Sequence, residues 1–182
     1  MSMTQFYTAT SLDGFIATSD DSLDWLLTRD QEETGPLNYA DFFANVGAMA
    51  MGATTYQWIV DYEFADKEPS EWRWPYEIPC WVFTHRNLSV VPGANIRFVR
   101  DSVRSVHTEM VSAANGRNVW VAGGGDLVGQ FADEGLLDEI ILYIAPVTLG
   151  AGKPLLPRRL ELKPEEVARN GEFMCARYSV VR

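Results

Sequence analysis

Short apolar runs alternate with amphipathic stretches along most of the chain, a pattern that predicts strands separated by helices. Gln5 to Thr10 is rich in aromatic and β-branched residues and reads as a first strand. It ends in the turn-prone sequence Ser11-Leu12-Asp13-Gly14, followed by the apolar pair Phe15-Ile16. Residues 17–35 are polar and acidic, interrupted by Leu23, Trp25, Leu26 and Leu27, and read as a loop with one or two helical turns. Tyr39, Phe42, Phe43 and Val46 recur at helical spacing behind Asn38, a suitable N-cap. Ala48 to Met51 reads as a buried strand entering Gly52, after which Thr54 or Thr55 is expected to cap a helix through Tyr56, Trp58 and Ile59.

Residues 61–79 are acidic, aromatic and broken by prolines, and read as a long excursion serving as a lid, a substrate wall or an oligomer contact. Cys80 to Thr84 and Ile96 to Val99 are strand candidates, joined through the polar turn His85-Arg86-Asn87. Val103, Val106, Met110, Val111 and Ala114 predict a helix that Asn115-Gly116 can end. Asn118 to Ala122 is a strand running into Gly123-Gly124-Gly125, and Leu127, Val128, Phe131 and Ala132 give the next helix an apolar face. Glu139 to Ala145 is strongly β-forming. The arms 160–168 and 173–181 flank Asn170-Gly171, a candidate type I′ turn, and Pro164 argues against a central place for the first arm. The sum is an α/β domain over residues 1–182, with a mixed, mostly parallel sheet, helices on both faces and a C-terminal antiparallel hairpin.

Composition narrows the function classes. The chain has 182 residues, with 15 basic against 25 acidic side chains and a formal net charge of −10, so a broad surface for nucleic acid is not expected. There is no apolar stretch of membrane-spanning length and no leader-like N-terminus, which makes cytoplasmic residence the default expectation. The two cysteines, Cys80 and Cys175, sit in apolar strand contexts and read as buried thiols rather than a disulfide. With two histidines and no ligand-spaced cluster, a metal site is not expected.

In an open α/β sheet, ligands gather beyond the carboxyl ends of the strands, where helix N-termini offer unpaired amides. Three junctions qualify: Met51-Gly52-Ala53-Thr54-Thr55, Thr84-His85-Arg86, and Gly123-Gly124-Gly125-Asp126. Each has an ordinary reading as an N-cap, a solvated charge or a tight turn, and neither GxGxxG nor a Walker A loop is present. Arg86 is the foremost candidate for a phosphate because its donor fork matches phosphate geometry. Asp13, at the mouth of the first strand, could orient a polar heterocycle, cap its turn, or do both. A hydrolase built on Asp13 and His85 has no support from spacing.

Taken in order, five blocks resemble the dihydrofolate reductase superfamily, and within it the RibD C-terminal-domain family. They are Ser11-Leu12-Asp13-Gly14-Phe15-Ile16, Met51-Gly52-Ala53-Thr54-Thr55-Tyr56, Val82-Phe83-Thr84-His85-Arg86, Val121-Ala122-Gly123-Gly124-Gly125 and Pro146-Val147-Thr148-Leu149-Gly150-Ala151-Gly152. The resemblance implies a three-layer dihydrofolate reductase-like fold, a stand-alone reductase domain, and hydride transfer from NADPH to a small heterocyclic or sugar-derived carbonyl or imine. It implies cofactor contact at Ile16, at Met51 to Thr55, at Thr84 to Arg86 and at Gly123 to Leu127, the last group including Asp126. It implies a substrate wall from Leu12, Phe15, Trp25, Tyr39, Phe43 and Tyr56, with Asp13 as the first candidate for the catalytic role of orienting substrate. A homodimer is expected on the same ground.

Two positions depart from the family pattern. Ala53 stands where dihydrofolate reductases commonly carry an arginine, and Tyr39 falls nearest the position of their pterin-binding acid, with Asp41 out of phase. These departures favour an alternative: a non-enzymatic ligand-binding or oligomeric scaffold on the same fold.

Overall fold

The protein is described here by a computed structural model covering residues 2–182. Its frame is an eight-stranded sheet in the order β5-β4-β3-β6-β1-β7-β10-β9. The strands are β1 (Thr4–Thr10), β3 (Val46–Gly52), β4 (Cys80–Phe83), β5 (Ile96–Val99), β6 (Asn118–Gly123), β7 (Glu139–Ile144), β9 (Leu162–Asn170) and β10 (Phe173–Val180). Strands β5 through β7 in that order run parallel, and β10 and β9 close the sheet antiparallel. The sheet is thus mixed and mostly parallel, with a C-terminal antiparallel hairpin, as the apolar pattern predicts.

Strand β3 shows why the sheet needs cover on both faces. Ala48 and Ala50 join one core cluster while Met49 and Met51 join the other, and all four are fully buried. Successive side chains alternate between faces, so an unbroken apolar run is what a doubly covered strand requires. Helices α4 (Val103–Ala113) and α5 (Gly125–Asp133) cover the alanine side. Helices α2 (Tyr39–Ala44) and α3 (Ala53–Phe64) cover the methionine side. Asn38 caps α2, its side chain accepting from the Asp41 amide. Val46 belongs to β3 rather than to α2, because Asn45 ends the helix one residue earlier.

Three local expectations are corrected. Gly52, not Thr54 or Thr55, is the N-cap of α3; both threonines lie inside its first turn, leaving their hydroxyls free for other partners. The hairpin turns on Gly171-Glu172 rather than Asn170-Gly171, since Asn170 pairs with Phe173 and only Gly171 takes a positive φ of 57°. Asn170 is buried and spent elsewhere: its amide donates to the Tyr143 hydroxyl (2.9 Å) and accepts from the Glu32 backbone N–H (2.7 Å).

The third correction concerns residues 61–79. Helix α3 continues to Phe64, and a short 3-10 turn (Pro69–Glu71) leads the chain back onto it. Trp72 stacks on Phe64 with ring centroids 5.1 Å apart, Trp74 packs on Tyr56 at 5.5 Å, and Tyr76 on Phe43 at 5.8 Å. The excursion is therefore bound by aromatic packing to α2 and α3 and to the core cluster they cover.

Two further short strands, β2 (Phe15–Ala17) and β8 (Lys153–Pro154), pair antiparallel beside the end of β1. Helix α1 is one turn, Asp24–Leu27.

Candidate functional site

The carboxyl ends of β5, β4, β3, β6 and β1 open into one cleft of about 620 Å³. It is walled by the first turns of α3 and α5, roofed at one end by β2 and β8, and crosses the point where chain connections leave the sheet in opposite directions. Such a switch point is where a parallel α/β sheet leaves a crevice.

Backbone geometry explains the glycines. Gly123 has φ 139°, a region that disfavours side chains. Its peptide bond to Gly124 is cis. Gly125 is small for packing: an added Cβ would strike the Pro154 and Leu155 carbonyls. Gly124 is different, since a Cβ there would meet nothing within 4 Å. It is the N-cap of α5 and lines the cleft, so a ligand can approach its main chain and the unpaired amides that follow. Gly52 caps α3 right beside it, at the end of the neighbouring strand, its own Cβ direction pointing to Gly124 N at 3.8 Å.

At the β4–β5 end, the Thr84 hydroxyl accepts from the Arg86 backbone N–H at 2.9 Å, which turns the chain sharply. The Arg86 guanidinium then reaches back to donate to the Thr54 hydroxyl at 3.3 Å. His85 and Arg100 line the same end, with Asp101 beside them. At the β1–β2 end the lining is Thr8, Ile16, Ala17, Asp21 and Leu23, with Lys153 ion-paired to Asp21 at 3.7 Å. On the α5 side, Gln130 and Arg158 both bond to Asp126 and hold its carboxyl below the usual range, the Gln130 amide contributing most.

Every residue expected at the cofactor lies on this cleft except Met51, which is fully buried one residue before it. The expected substrate residues are scattered. Tyr56 is fully buried in the core, its hydroxyl donating to the Ser89 carbonyl at 2.6 Å, because it projects from the sheet-facing side of α3. Tyr39 and Phe43 stack on each other at 5.5 Å and abut Trp120, outside the cleft lining. Burial raises the Tyr39 phenol well above its ordinary pKa, so it is not an acid in the way of a carboxylate. Trp25 packs with Tyr143 and Phe173, and Leu12 and Phe15 also fall outside the lining.

Asp13 is not part of the cleft lining. Its carboxylate accepts from the Ser11 hydroxyl (2.6 Å), from Leu149 N–H (3.0 Å) and from Gly150 N–H (2.7 Å). The Ser11 hydroxyl first, then the Leu149 amide, pulls its pKa down to about 2. The alternative that it caps a turn is the one the geometry carries.

Thr8, Trp58, Arg100 and Lys153 are among the lining residues that were not expected. Arg100 follows strand β5 just as Arg86 follows β4, so the same strand-end logic reaches it. Trp58 lies one turn beyond Thr54 and Thr55 on α3, which puts it on the cleft side by helical spacing.

The fold is that of a dihydrofolate reductase-like α/β protein. A family model described as the RibD C-terminal domain matches residues 4–175, and the chain belongs to that family. The Bacillus subtilis protein YwjB is 34% identical over 156 residues, covering 84% of this chain and 81% of its own length. A Shewanella sp. PV-4 protein named for riboflavin biosynthesis superposes with a TM-score of 0.80 at 22% identity, over 99% of each chain. A deaminase/5-amino-6-(5-phosphoribosylamino)uracil reductase from Thermotoga maritima superposes with a TM-score of 0.65 at 15% identity, over 99% of this chain and 57% of that one. No helix among the described residues is long and apolar enough to cross a membrane.

Proposed function

We propose that the protein is an NADPH-dependent reductase acting on a small carbonyl or imine acceptor. The observation that carries this reading is the bare Gly124 backbone beside Gly52 on the cleft lining, each at the start of a helix. A polyanion suits that arrangement, because the unpaired amides and the helix dipoles both favour negative charge.

Gly52 to Thr55 and Gly123 to Leu127 would hold the pyrophosphate and adjoining ribose. Thr84, His85, Arg86 and Arg100 would surround the adenosine and its 2′-phosphate, with Arg86 standing in for the donor lost at Ala53. Bound there, NADPH supplies a hydride. The chain's own part is orientation and exclusion of water: Ile16, Ala17 and Leu23 offer an apolar wall at the β1–β2 end, and the β2–β8 pair closes that side. Among the described residues the one carboxylate lining that end is Asp21, which pairs with Lys153, so the proton comes from water. Asp13 is a positioning residue that ties loop 145–152 to the β1–β2 turn.

The hairpin β9–β10 would provide the homodimer contact. Val167 and Met174 share one face of it and are 70% and 58% exposed. The function is tested by NADPH oxidation at 340 nm against a panel of small carbonyl and imine acceptors, together with calorimetric titration of NADPH. Absence of NADPH binding would favour the non-enzymatic scaffold.

A further inference from the structure

The two ends of the cleft differ in charge. His85, Arg86 and Arg100 gather at the β4–β5 end, while Lys153 is the one cation lining the β1–β2 end among the described residues. Lys153 is ion-paired with Asp21, which also lines the cleft, so the pair contributes no net charge. The remaining surface there is Thr8, Ile16, Ala17 and Leu23, and the Thr8 hydroxyl is spent on the Ala9 carbonyl at 3.2 Å. A phosphate placed at this end would find no unpaired cation and would face a carboxylate.

An aromatic surface stands in the wall beside it. Trp58 lines the cleft one turn beyond Thr55, whose hydroxyl lies 3.4 Å from the Cβ direction of Gly123 on β6. Helical spacing puts Trp58 on the same side of α3 as Thr54 and Thr55, away from the core face, in the wall of the same cleft. Tyr62, one turn further along α3, stacks on the indole with centroids 4.8 Å apart and planes 11° from parallel. Tyr62 is 57% exposed and contributes nothing to the core; the core face of α3 is Tyr56, Val60 and Phe64. Tyr62 therefore holds the indole by one face while Trp58 still lines the cleft, and an aromatic ring fixed in this way is a surface that a flat ligand can stack on.

We propose that the acceptor held at the β1–β2 end is an uncharged, planar aromatic molecule stacked on Trp58. This sets it apart from the phosphoribosyl-bearing uracil named for the Thermotoga maritima protein. The proposal rests on the reductase reading for the chemistry, whereas the binding preference stands on Trp58 and the Asp21–Lys153 pair alone.

The test uses the matched probes 2-naphthol and 2-naphthyl phosphate, titrated calorimetrically into the full chain without cofactor and again with NADPH. Expected are tighter binding of 2-naphthol than of its phosphate, about tenfold weakening in Trp58→Ala, and retention in Trp58→Phe. Asp21→Asn, which suits the positive φ of 64° at that position, frees Lys153 and should improve binding of the phosphate specifically. Thermal melts of each variant separate loss of fold from loss of site. Preference for the phosphate in the wild type, no binding of 2-naphthol, or equal affinity in a folded Trp58→Ala overturns the proposal. Failure of NADPH alone to bind, with the probe preferences intact, supports the acceptor site and counts against the reductase reading instead.

Discussion

The Asp13 carboxylate accepts a hydrogen bond from the backbone N–H of Gly150 at 2.7 Å, across 137 positions of chain. With the Leu149 amide and the Ser11 hydroxyl on the same group, it fastens the loop after β7 to the turn after β1. That clasp sits next to the β2–β8 pair, which forms one end of the cleft.

Asp13→Asn should loosen the clasp, because an amide N–H₂ cannot accept from both backbone donors. Faster hydrogen exchange at Leu149 and Gly150, with the core amides of β3 unchanged, is the expected NMR result. The carboxyl pKa is lowered to about 2 from an ordinary 3.8, so the clasp contributes in full above about pH 4 and is lost as pH falls through about 2. The wild type should thus show a steeper loss of melting temperature than Asp13→Asn across that acid window. Equal acid profiles would remove the clasp from the account.

Arg86 is exposed and held over Thr54, ready to meet a phosphate from the solvent side. Arg86→Ala should weaken NADPH about tenfold and leave NADH nearly unchanged, as expected for one charge-assisted contact. Equal losses for the two cofactors in calorimetry would move the 2′-phosphate elsewhere, with Arg100 as the next residue to substitute.

Asn170 ties the hairpin to residues 32–36 through the Glu32 amide and the Tyr143 hydroxyl, at 1% exposure. Asn170→Ala deletes the bonds to Glu32 and leaves the Tyr143 hydroxyl with the Pro36 carbonyl alone, a loss of about 2–3 kcal/mol. For a domain of this size that is a fall in melting temperature of about 4–10 °C, with NADPH affinity unaffected. A shift under a degree would show that water replaces the amide.

Much of this architecture can be read from residue order because one-sided and two-sided burial leave different patterns. The run Ala48 to Met51 announces a strand covered on both faces, and the strand-end junctions around Gly52, Thr84 and Gly123 point to the cleft. The resemblance blocks add the family. What stays hidden depends on which way a side chain turns. Tyr56 and Trp58 are two residues apart on α3, yet one is locked in the core and the other lines the cleft. Asn170-Gly171 has the composition of a turn, but tertiary bonds to Asn170 shift the turn by one residue. Residues 61–79 read as a lid, a substrate wall or an oligomer contact because the partners of their aromatic rings, Phe64, Tyr56 and Phe43, lie on helices whose faces the sequence does not orient.

Gly124 gives the most direct test, because a methyl group there meets no protein atom and projects into the cleft. Calorimetric titration of NADPH into wild type and Gly124→Ala, beside their thermal melts, separates binding from stability. The expected result is NADPH binding to the wild type in the micromolar range, at least tenfold weaker binding to Gly124→Ala, and melting temperatures within about a degree. No NADPH binding to the wild type, or equal affinity in the folded variant, would contradict a cofactor lying along that backbone.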